Sequence, residues 1–233
     1  MLILGLNKTT LLDYPEHVAA TIFTGGCNFR CPFCHNKDLV FTQQVSSYTE
    51  SEILSFLKKR AGILTGVCIT GGEPTLQKDL ADFLARIKDL GYLVKLDTNG
   101  YQPDVLQHLL SKELIDYCAM DIKNSPSKYA VTAGISSLDF HLIKESVSCL
   151  LSVIDSFPFE FRTTLVRELH TTEDMMAISD WIKGAPAYFL QSYTDSANVI
   201  TPGYHALSNH ELLKYRDICI KTIPNTQLRG IDL

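Results

Sequence analysis

Hydrophobic and polar positions along the chain form two alternating patterns. Short, nearly continuous apolar runs, rich in β-branched and aromatic residues, predict parallel strands that are buried on both faces. The predicted strands are His17–Gly25, Gly66–Gly72, Leu93–Asn99, Tyr117–Lys123, Phe159–Leu165 and Ala187–Tyr193.

Longer stretches between these runs repeat their apolar residues at helical spacing. In one of them Leu80, Phe83, Leu84 and Ile87 share a face, and Gly91 supplies a stop signal. The predicted helices are Thr49–Arg60, Gln77–Leu90, Pro103–Ser111, Leu138–Val153, Thr172–Lys183 and Ser208–Lys221. For the first of these, either Thr49 or Ser51 is suitable as the cap.

Strands that alternate with helices of this length predict right-handed βαβ units and a parallel sheet. Six units are too few for a closed eight-stranded barrel, so the pattern predicts an α/β fold with an open sheet or a partial barrel. A chain of 233 residues can form one sizeable core, and we expect a single domain over residues 1–233. Ligands of such sheets gather at the carboxyl ends of the strands.

Charge and composition limit the partners and the cellular location that we expect for this protein. The formal charge of −5 gives no basic footprint, so nucleic acid and anionic membrane are not expected partners. The first residues do not have the pattern of a signal peptide, and no apolar stretch is long enough to cross a membrane. We therefore expect a cytoplasmic protein, in which cysteines more often mark metal sites or catalysis than disulfides.

Three of the seven cysteines lie close together just after the first predicted strand. Cys27, Cys31 and Cys34 follow the spacing C-x3-C-x2-C, which random placement would produce roughly 0.006 times in a chain of this composition. The other four, Cys68, Cys118, Cys149 and Cys219, are dispersed, and we expect them to be small buried hydrophobes. The three clustered cysteines therefore predict an inorganic centre.

Two kinds of centre suit three cysteines. A structural zinc ion needs a fourth ligand, and His35 could supply it, although its adjacency to Cys34 makes a tetrahedral arrangement awkward. A four-iron cluster held by three thiolates leaves one iron without a protein ligand, which makes it an open position for a substrate.

Polar or glycine-rich segments end the next three predicted strands, and each also has a purely structural interpretation. Gly71-Gly72-Glu73-Pro74 could be a turn that opens a helix, and Asp97-Thr98-Asn99-Gly100 an Asx turn. Met120-Asp121-Ile122-Lys123 could be a surface ion pair. On the fifth strand, Arg162 stands in an apolar run, where it needs either an ionic partner or a ligand.

The cysteine spacing and the order of these motifs resemble the radical S-adenosylmethionine (SAM) superfamily, whose fold is a partial (βα)6 barrel. The resemblance implies a 4Fe–4S cluster on Cys27, Cys31 and Cys34, with the open iron chelating the methionine moiety of SAM. It places Phe33 against the adenine and Gly71, Gly72 and Glu73 at the methionine amino group. No catalytic side chain beyond the cluster and the cofactor is implied.

The segments Asp97-Thr98-Asn99-Gly100 and Met120-Asp121-Ile122-Lys123 are similar to the corresponding strand ends of glycyl-radical-enzyme activases. There Asp97, Thr98 and Asp121 would bind a monovalent cation, and Lys123 would face the SAM carboxylate. Arg162 would also lie near the cofactor, at its carboxylate or ribose.

Residues 5–36, which contain Leu12-Asp13-Tyr14-Pro15 and the cysteines, resemble activating proteins of the anaerobic (class III) ribonucleoside-triphosphate reductase. One departure is Glu16, where that family usually has glycine. The implied activity is reductive cleavage of SAM, followed by removal of a hydrogen atom from a glycine of the partner enzyme. The implied electron donor is a flavodoxin or a ferredoxin.

Two alternatives stay open. A radical SAM enzyme with a small-molecule substrate, such as 7-carboxy-7-deazaguanine synthase, would share the cysteine triad and a similar length. A zinc-stabilised binding module without enzymatic activity is the more remote one.

Overall fold

The computed structural model describes residues 1–41, 45–196 and 198–230. In these ranges eight strands form a sheet in which each strand neighbours the next one along the chain. The strands are β1 (Ile3–Thr10), β2 (Ala19–Thr24), β3 (Gly66–Gly71), β4 (Leu93–Thr98), β5 (Tyr117–Asp121), β6 (Phe159–Leu165), β7 (Tyr188–Ser192) and β8 (Thr226–Arg229).

All six predicted strands are present as β2 to β7, with ends within two residues of the predicted ones. Strands β1 and β8 were not predicted. β1 pairs antiparallel with β2, and its central residues are exposed or half-buried, so it lacks the continuous apolar run of a buried strand. β8 has only four residues, and its register partner is β7.

Helices separate the strands as predicted. They are α1 (Lys37–Val40), α2 (Glu50–Lys59), α3 (Leu80–Lys88), α4 (Pro103–Ser111), α5 (Tyr129–Ala133), α6 (Phe140–Ser152), α7 (Thr172–Trp181) and α8 (Asn209–Cys219). The short helices α1 and α5 were not predicted, because four or five residues show no clear period.

Helix ends follow local chemistry. Thr49 is the cap of α2, and its reciprocal hydrogen bonds with Glu52 form a capping box, so Thr49 rather than Ser51 begins the helix. Helix α3 starts at Leu80, three residues later than predicted. The reason is that Pro74–Leu76 forms a separate 3-10 turn directly after Glu73.

The described residues divide into two compact units. The first unit consists of Met1–Asn28, Asp38–Thr98 and Gln102–Cys118, and the second of Phe29–Lys37, Asn99–Tyr101 and Ala119–Leu233. The single domain inferred from chain length stays a prediction.

Within the first unit, β2, β3 and β4 are parallel neighbours, and their central residues Ile22, Ile69 and Leu96 are fully buried. Within the second unit, β6, β7 and β8 are parallel, with Phe161 and Leu190 fully buried. These apolar side chains form the core of each unit and hold the strand ends that carry the predicted motifs. Over the described ranges, no helix has both the length and the apolar character needed to cross a membrane.

Candidate functional site

The cysteine motif begins at the carboxyl end of β2. Cys27 is half-buried and belongs to the first unit, while Cys31 and Cys34 belong to the second. A backbone hydrogen bond of 3.0 Å from Cys34 N–H to the Cys31 carbonyl closes a tight turn that carries these two thiols. All seven cysteines are thiols, with no disulfide among the described residues.

The other four cysteines were expected to be buried. Cys68, Cys118 and Cys219 are fully buried, and Cys149 is half-buried. Across the described ranges, no three or more His, Cys, Asp and Glu side chains are already gathered as a metal site. The donor chemistry and the C-x3-C-x2-C spacing of the clustered three are what suit an iron–sulfur cluster.

Gly71 and Gly72 lie directly against the start of the cysteine motif. A Cβ on Gly72 would stand 2.0 Å from the Gly26 carbonyl oxygen, and one on Gly71 would stand 2.4 Å from the Thr24 backbone. The Gly26 carbonyl also accepts a hydrogen bond of 2.8 Å from Glu73 N–H. The glycines therefore allow two backbone segments to approach each other, and their contact with the methionine amino group stays a prediction.

Glu73 organises the turn after β3. Its side chain is 1% exposed, and its Oε1 accepts hydrogen bonds from the Thr75 N–H (3.1 Å) and the Thr75 hydroxyl (2.6 Å). The Thr98 hydroxyl at the end of β4 donates to the same oxygen at 2.7 Å. A buried carboxylate with three donors links the ends of two neighbouring strands.

Asp97 precedes Thr98, and its carboxylate forms an ion pair with Lys95, two residues earlier on the same strand. Lys95 is 2% exposed, and sequence reasoning missed it. The signal was available, because a lysine within the apolar run Leu93–Asn99 needs a partner for the same reason as Arg162.

In the second unit, Asp121 lies between two cations. Its Oδ1 accepts a hydrogen bond from Arg162 Nε at 2.9 Å, and its Oδ2 accepts one from Lys123 Nζ at 3.0 Å. We call Asp121, Lys123 and Arg162 the charge trio. The trio contains the ionic partner that Arg162 was expected to need, and it carries a net charge of +1.

The pKa values of the charge trio follow from competing effects. Burial opposes ionisation of Asp121, but Arg162 and Lys123 outweigh it and lower the pKa of the carboxyl group to about 2. Burial likewise acts to lower the pKa of Lys123, but the negative charge of Asp121 outweighs it and raises the pKa. All three side chains are therefore charged at neutral pH.

Buried polar residues support the backbone below the trio. His170 Nε2 lies 2.9 Å from the Lys123 carbonyl, and burial lowers the pKa of this imidazole, which favours its neutral form. The Tyr129 hydroxyl donates to the Asp121 carbonyl at 3.3 Å. The His170 contact spans 47 positions and the Tyr129 contact spans 8, and the hydrophobic pattern of the sequence records neither.

The remaining predicted residues lie in the cysteine loop. Phe33 is 5% exposed. Backbone hydrogen bonds anchor the loop from Thr201 N–H to the Pro32 carbonyl (2.8 Å) and from Ile200 N–H to the Cys34 carbonyl (3.2 Å). His35, the fourth ligand in the zinc alternative, is exposed and contacts Ser196 through its Nδ1 at 3.1 Å.

Comparison with known proteins agrees with the resemblance seen in the sequence. A family model described as the radical SAM superfamily matches residues 21–140. A protein of Methanocaldococcus jannaschii, provisionally named as a glycyl-radical enzyme activating enzyme, is 33% identical over 99% of this chain and 97% of its own length. A 7-carboxy-7-deazaguanine synthase of Thermococcus kodakarensis is 28% identical over 44% of this chain and 48% of its own.

Solved structures share the architecture. The crystal structure of Streptococcus suis SuiB bound to the precursor peptide SuiA aligns with a TM-score of 0.70. The alignment covers 90% of this chain and 48% of the other, at 14% identity. This likeness concerns the fold alone. Together with the matching family model, it confirms the predicted α/β architecture of the radical SAM type.

Proposed function

Because the chain belongs to the radical SAM superfamily, we propose that it is an activating enzyme that places a radical on a glycine of a partner protein. The observation that carries the proposal is the end-to-end likeness to the M. jannaschii protein, which covers 97% of that protein's length. Superfamily membership implies a 4Fe–4S cluster and SAM as cofactors.

Cys27, Cys31 and Cys34 would hold the cluster. Three thiolates suit a four-iron cluster with one open iron, and the turn between Cys31 and Cys34 presents two of them from a backbone that is anchored at Pro32 and Cys34. When bound, the cluster and SAM supply the reductive cleavage that yields the hydrogen-abstracting radical. The surrounding residues would bind SAM and orient it.

The charge trio is suited to the SAM carboxylate. Asp121 holds Lys123 and Arg162 in place through one carboxylate oxygen each, and the excess positive charge is left to attract an anion. In the first unit, Gly71, Gly72 and Glu73 would meet the methionine amino group, with Glu73 holding the turn rigid. Phe33 would lie against the adenine.

The partner that the sequence supports best is an anaerobic ribonucleoside-triphosphate reductase. The support comes from the Leu12-Asp13-Tyr14-Pro15 segment and the adjoining cysteine motif, which resemble the activating proteins of that reductase. A flavodoxin or ferredoxin would supply the electron. The monovalent cation that the resemblance implies at Asp97, Thr98 and Asp121 is not part of this proposal, because the chain itself supplies cations to both carboxylates.

One experiment tests the proposal directly. The chain, reconstituted anaerobically and reduced, is mixed with SAM and the class III reductase of the same organism. We expect a glycine-centred EPR signal on the reductase and one 5′-deoxyadenosine per radical formed. A reductase whose radical glycine is changed to alanine is the matched control and gives no signal. If SAM is cleaved and no glycyl radical forms on an intact reductase, the assignment of the partner is wrong.

The small-molecule alternative has one observation in its favour, the likeness to 7-carboxy-7-deazaguanine synthase over 44% of the chain. That likeness covers less than half of either protein, whereas the activating-enzyme likeness covers nearly all of both. Incubation with the deazapurine substrate of that synthase separates the two functions, because turnover without any partner protein would favour the alternative.

A further inference from the structure

Lys95 is a charged residue within β4, and it is buried. Its side chain is 3% exposed, and its register partner on β3 is the fully buried Cys68, whose Sγ lies 3.9 Å from Lys95 Nζ. Lysine is almost never buried in this way without an anionic partner, since removing an ammonium group from water is costly. The position therefore calls for a compensating charge.

Asp97 supplies that charge. Residues two apart on a strand project to the same face, so Lys95 and Asp97 point to the same side of β4, and their ammonium and carboxylate groups are in direct contact. The Asp97 side chain is 15% exposed, which leaves little room for water to replace the ammonium. The pair is built into the strand.

Asp97 is also one of the residues expected to bind a monovalent cation, and the contacts of those residues do not fit such an ion. A potassium or sodium ion on Asp97 would stand beside the Lys95 ammonium, where two positive charges repel strongly in a poorly solvated site. In the second unit, both oxygens of Asp121 already accept hydrogen bonds from cationic side chains. Each carboxylate of the expected site is thus neutralised by the chain.

We infer that the Lys95 ammonium takes the place of the monovalent cation at Asp97, so this protein binds SAM without needing such an ion. The inference deepens the proposed function, because it rests on SAM being the ligand at this strand edge. Lys95 is a positioning residue here: it balances Asp97, and Thr98 next to it remains hydrogen-bonded to Glu73.

The test compares the full-length, cluster-reconstituted wild type with Lys95→Met, which keeps the length of the side chain and removes its charge. Thermal unfolding is followed in potassium chloride, sodium chloride and choline chloride at equal ionic strength, with and without SAM. We expect no difference among the salts for the wild type. In choline chloride, Lys95→Met should have a lower unfolding temperature than the wild type. In potassium or sodium chloride, the unfolding temperature of this variant should rise by at least about 2 °C.

Two further variants isolate the effect. Lys88→Met removes the lysine of another Lys–Asp pair, with Asp116, whose side chains are about a quarter exposed, and should show no preference among the salts. The double variant Lys95→Met/Asp97→Asn removes both charges and should lose the response to potassium. Thallium(I) NMR measures cation binding directly. We expect saturable binding of thallium by Lys95→Met and no binding by the wild type.

Saturable thallium binding by the wild type, lost in Asp97→Asn, would overturn the inference. The inference would also be overturned if Lys95→Met folds and its unfolding temperature is the same in all three salts. If Lys95→Met does not fold in any salt, thallium NMR on the wild type alone decides between the two outcomes. None of these measurements uses radical formation, so a failure of the proposed function would appear separately, as absence of SAM cleavage or of the glycyl radical.

Discussion

Two side chains show how a single residue carries information that the pattern of hydrophobicity does not. Arg162 stands in an apolar strand, and its partner is Asp121. Glu16 stands where the resembling family has glycine, and its φ angle is 65°, in the left-handed region that favours glycine. The unexpected residue type at each position thus marked a physical requirement, an ionic partner for Arg162 and a left-handed backbone at Glu16.

The ionisation of Asp121 gives a prediction with a definite sign. Its pKa is lowered from 3.8 to about 2, so its ionic contacts stabilise the folded protein above about pH 4 and this contribution is lost as the pH falls toward 2. Asp121→Asn should cost about 1–2 kcal/mol at pH 7, allowing for partial exposure of the group. The difference between wild type and variant should shrink in urea unfolding experiments as the pH falls from 4 to about 2. A difference independent of pH would show that the ionic contacts do not contribute.

Glu16 gives a prediction in the opposite direction. It is the third residue of a turn closed by a hydrogen bond of 3.2 Å from His17 N–H to the Tyr14 carbonyl, with Pro15 before it. This is the position at which type II turns require positive φ. Glu16→Gly should raise the free energy of unfolding by up to about 1 kcal/mol, because it removes left-handed strain from an exposed residue.

Glu16→Ala is the matched control, since it removes the same side chain and keeps the Cβ. Chemical denaturation should find Glu16→Ala no more stable than the wild type. Equal stabilisation by alanine would mean that the side chain, rather than the backbone, is the source of the effect.

Helices begin and end where local hydrogen-bonding chemistry allows, and α7 is an example. Thr171 accepts a hydrogen bond from Asp174 N–H, and Asp174 accepts one from Thr171 N–H, which forms a capping box. The same aspartate also accepts hydrogen bonds from Ser125 and Lys128, so the start of α7 is attached to the loop after β5. The helix end thus supports the segment that carries Lys123.

Removal of this cap should have a measurable cost. Thr171→Ala should lower the free energy of unfolding by about 1 kcal/mol, because the orphan amides at the helix start lose their acceptor. Thr171→Ser keeps the hydroxyl and should stay within about 0.5 kcal/mol of the wild type. Urea unfolding measures both. A loss that is equal in the two variants would point to the methyl group of Thr171 instead of the cap.

At the scale of the whole molecule, the proposed cofactor predicts the metal content. Anaerobically prepared protein should contain about four irons and four sulfides per chain and no stoichiometric zinc. Cys31→Ala should lose iron and form no 5′-deoxyadenosine under a reductant. Cys149→Ala, at a half-buried cysteine on α6, is the control and should retain both. Zinc without iron in the wild type would favour a structural metal site.

The sequence alone determined the α/β pattern, the six strands β2 to β7 and the position of every predicted motif at a strand end. These features are local: buried strands need continuous apolar runs, helices need a 3.6-residue period, and an open-site cluster needs three closely spaced thiols. The strands β1 and β8 escaped prediction because pairing at the edge of a sheet leaves little apolar signal in the strand itself.

Only the tertiary structure decided which charges meet. The partners of Asp121 and Glu73 come from residues as far as 41 and 25 positions away, and a carboxylate becomes a cation ligand or an ion-pair partner according to what packs beside it. The same is true of Gly72, whose missing Cβ makes room for the Gly26 carbonyl, 46 residues earlier in the chain. Long-range packing selects among chemically equivalent partners, and a linear pattern does not record that selection.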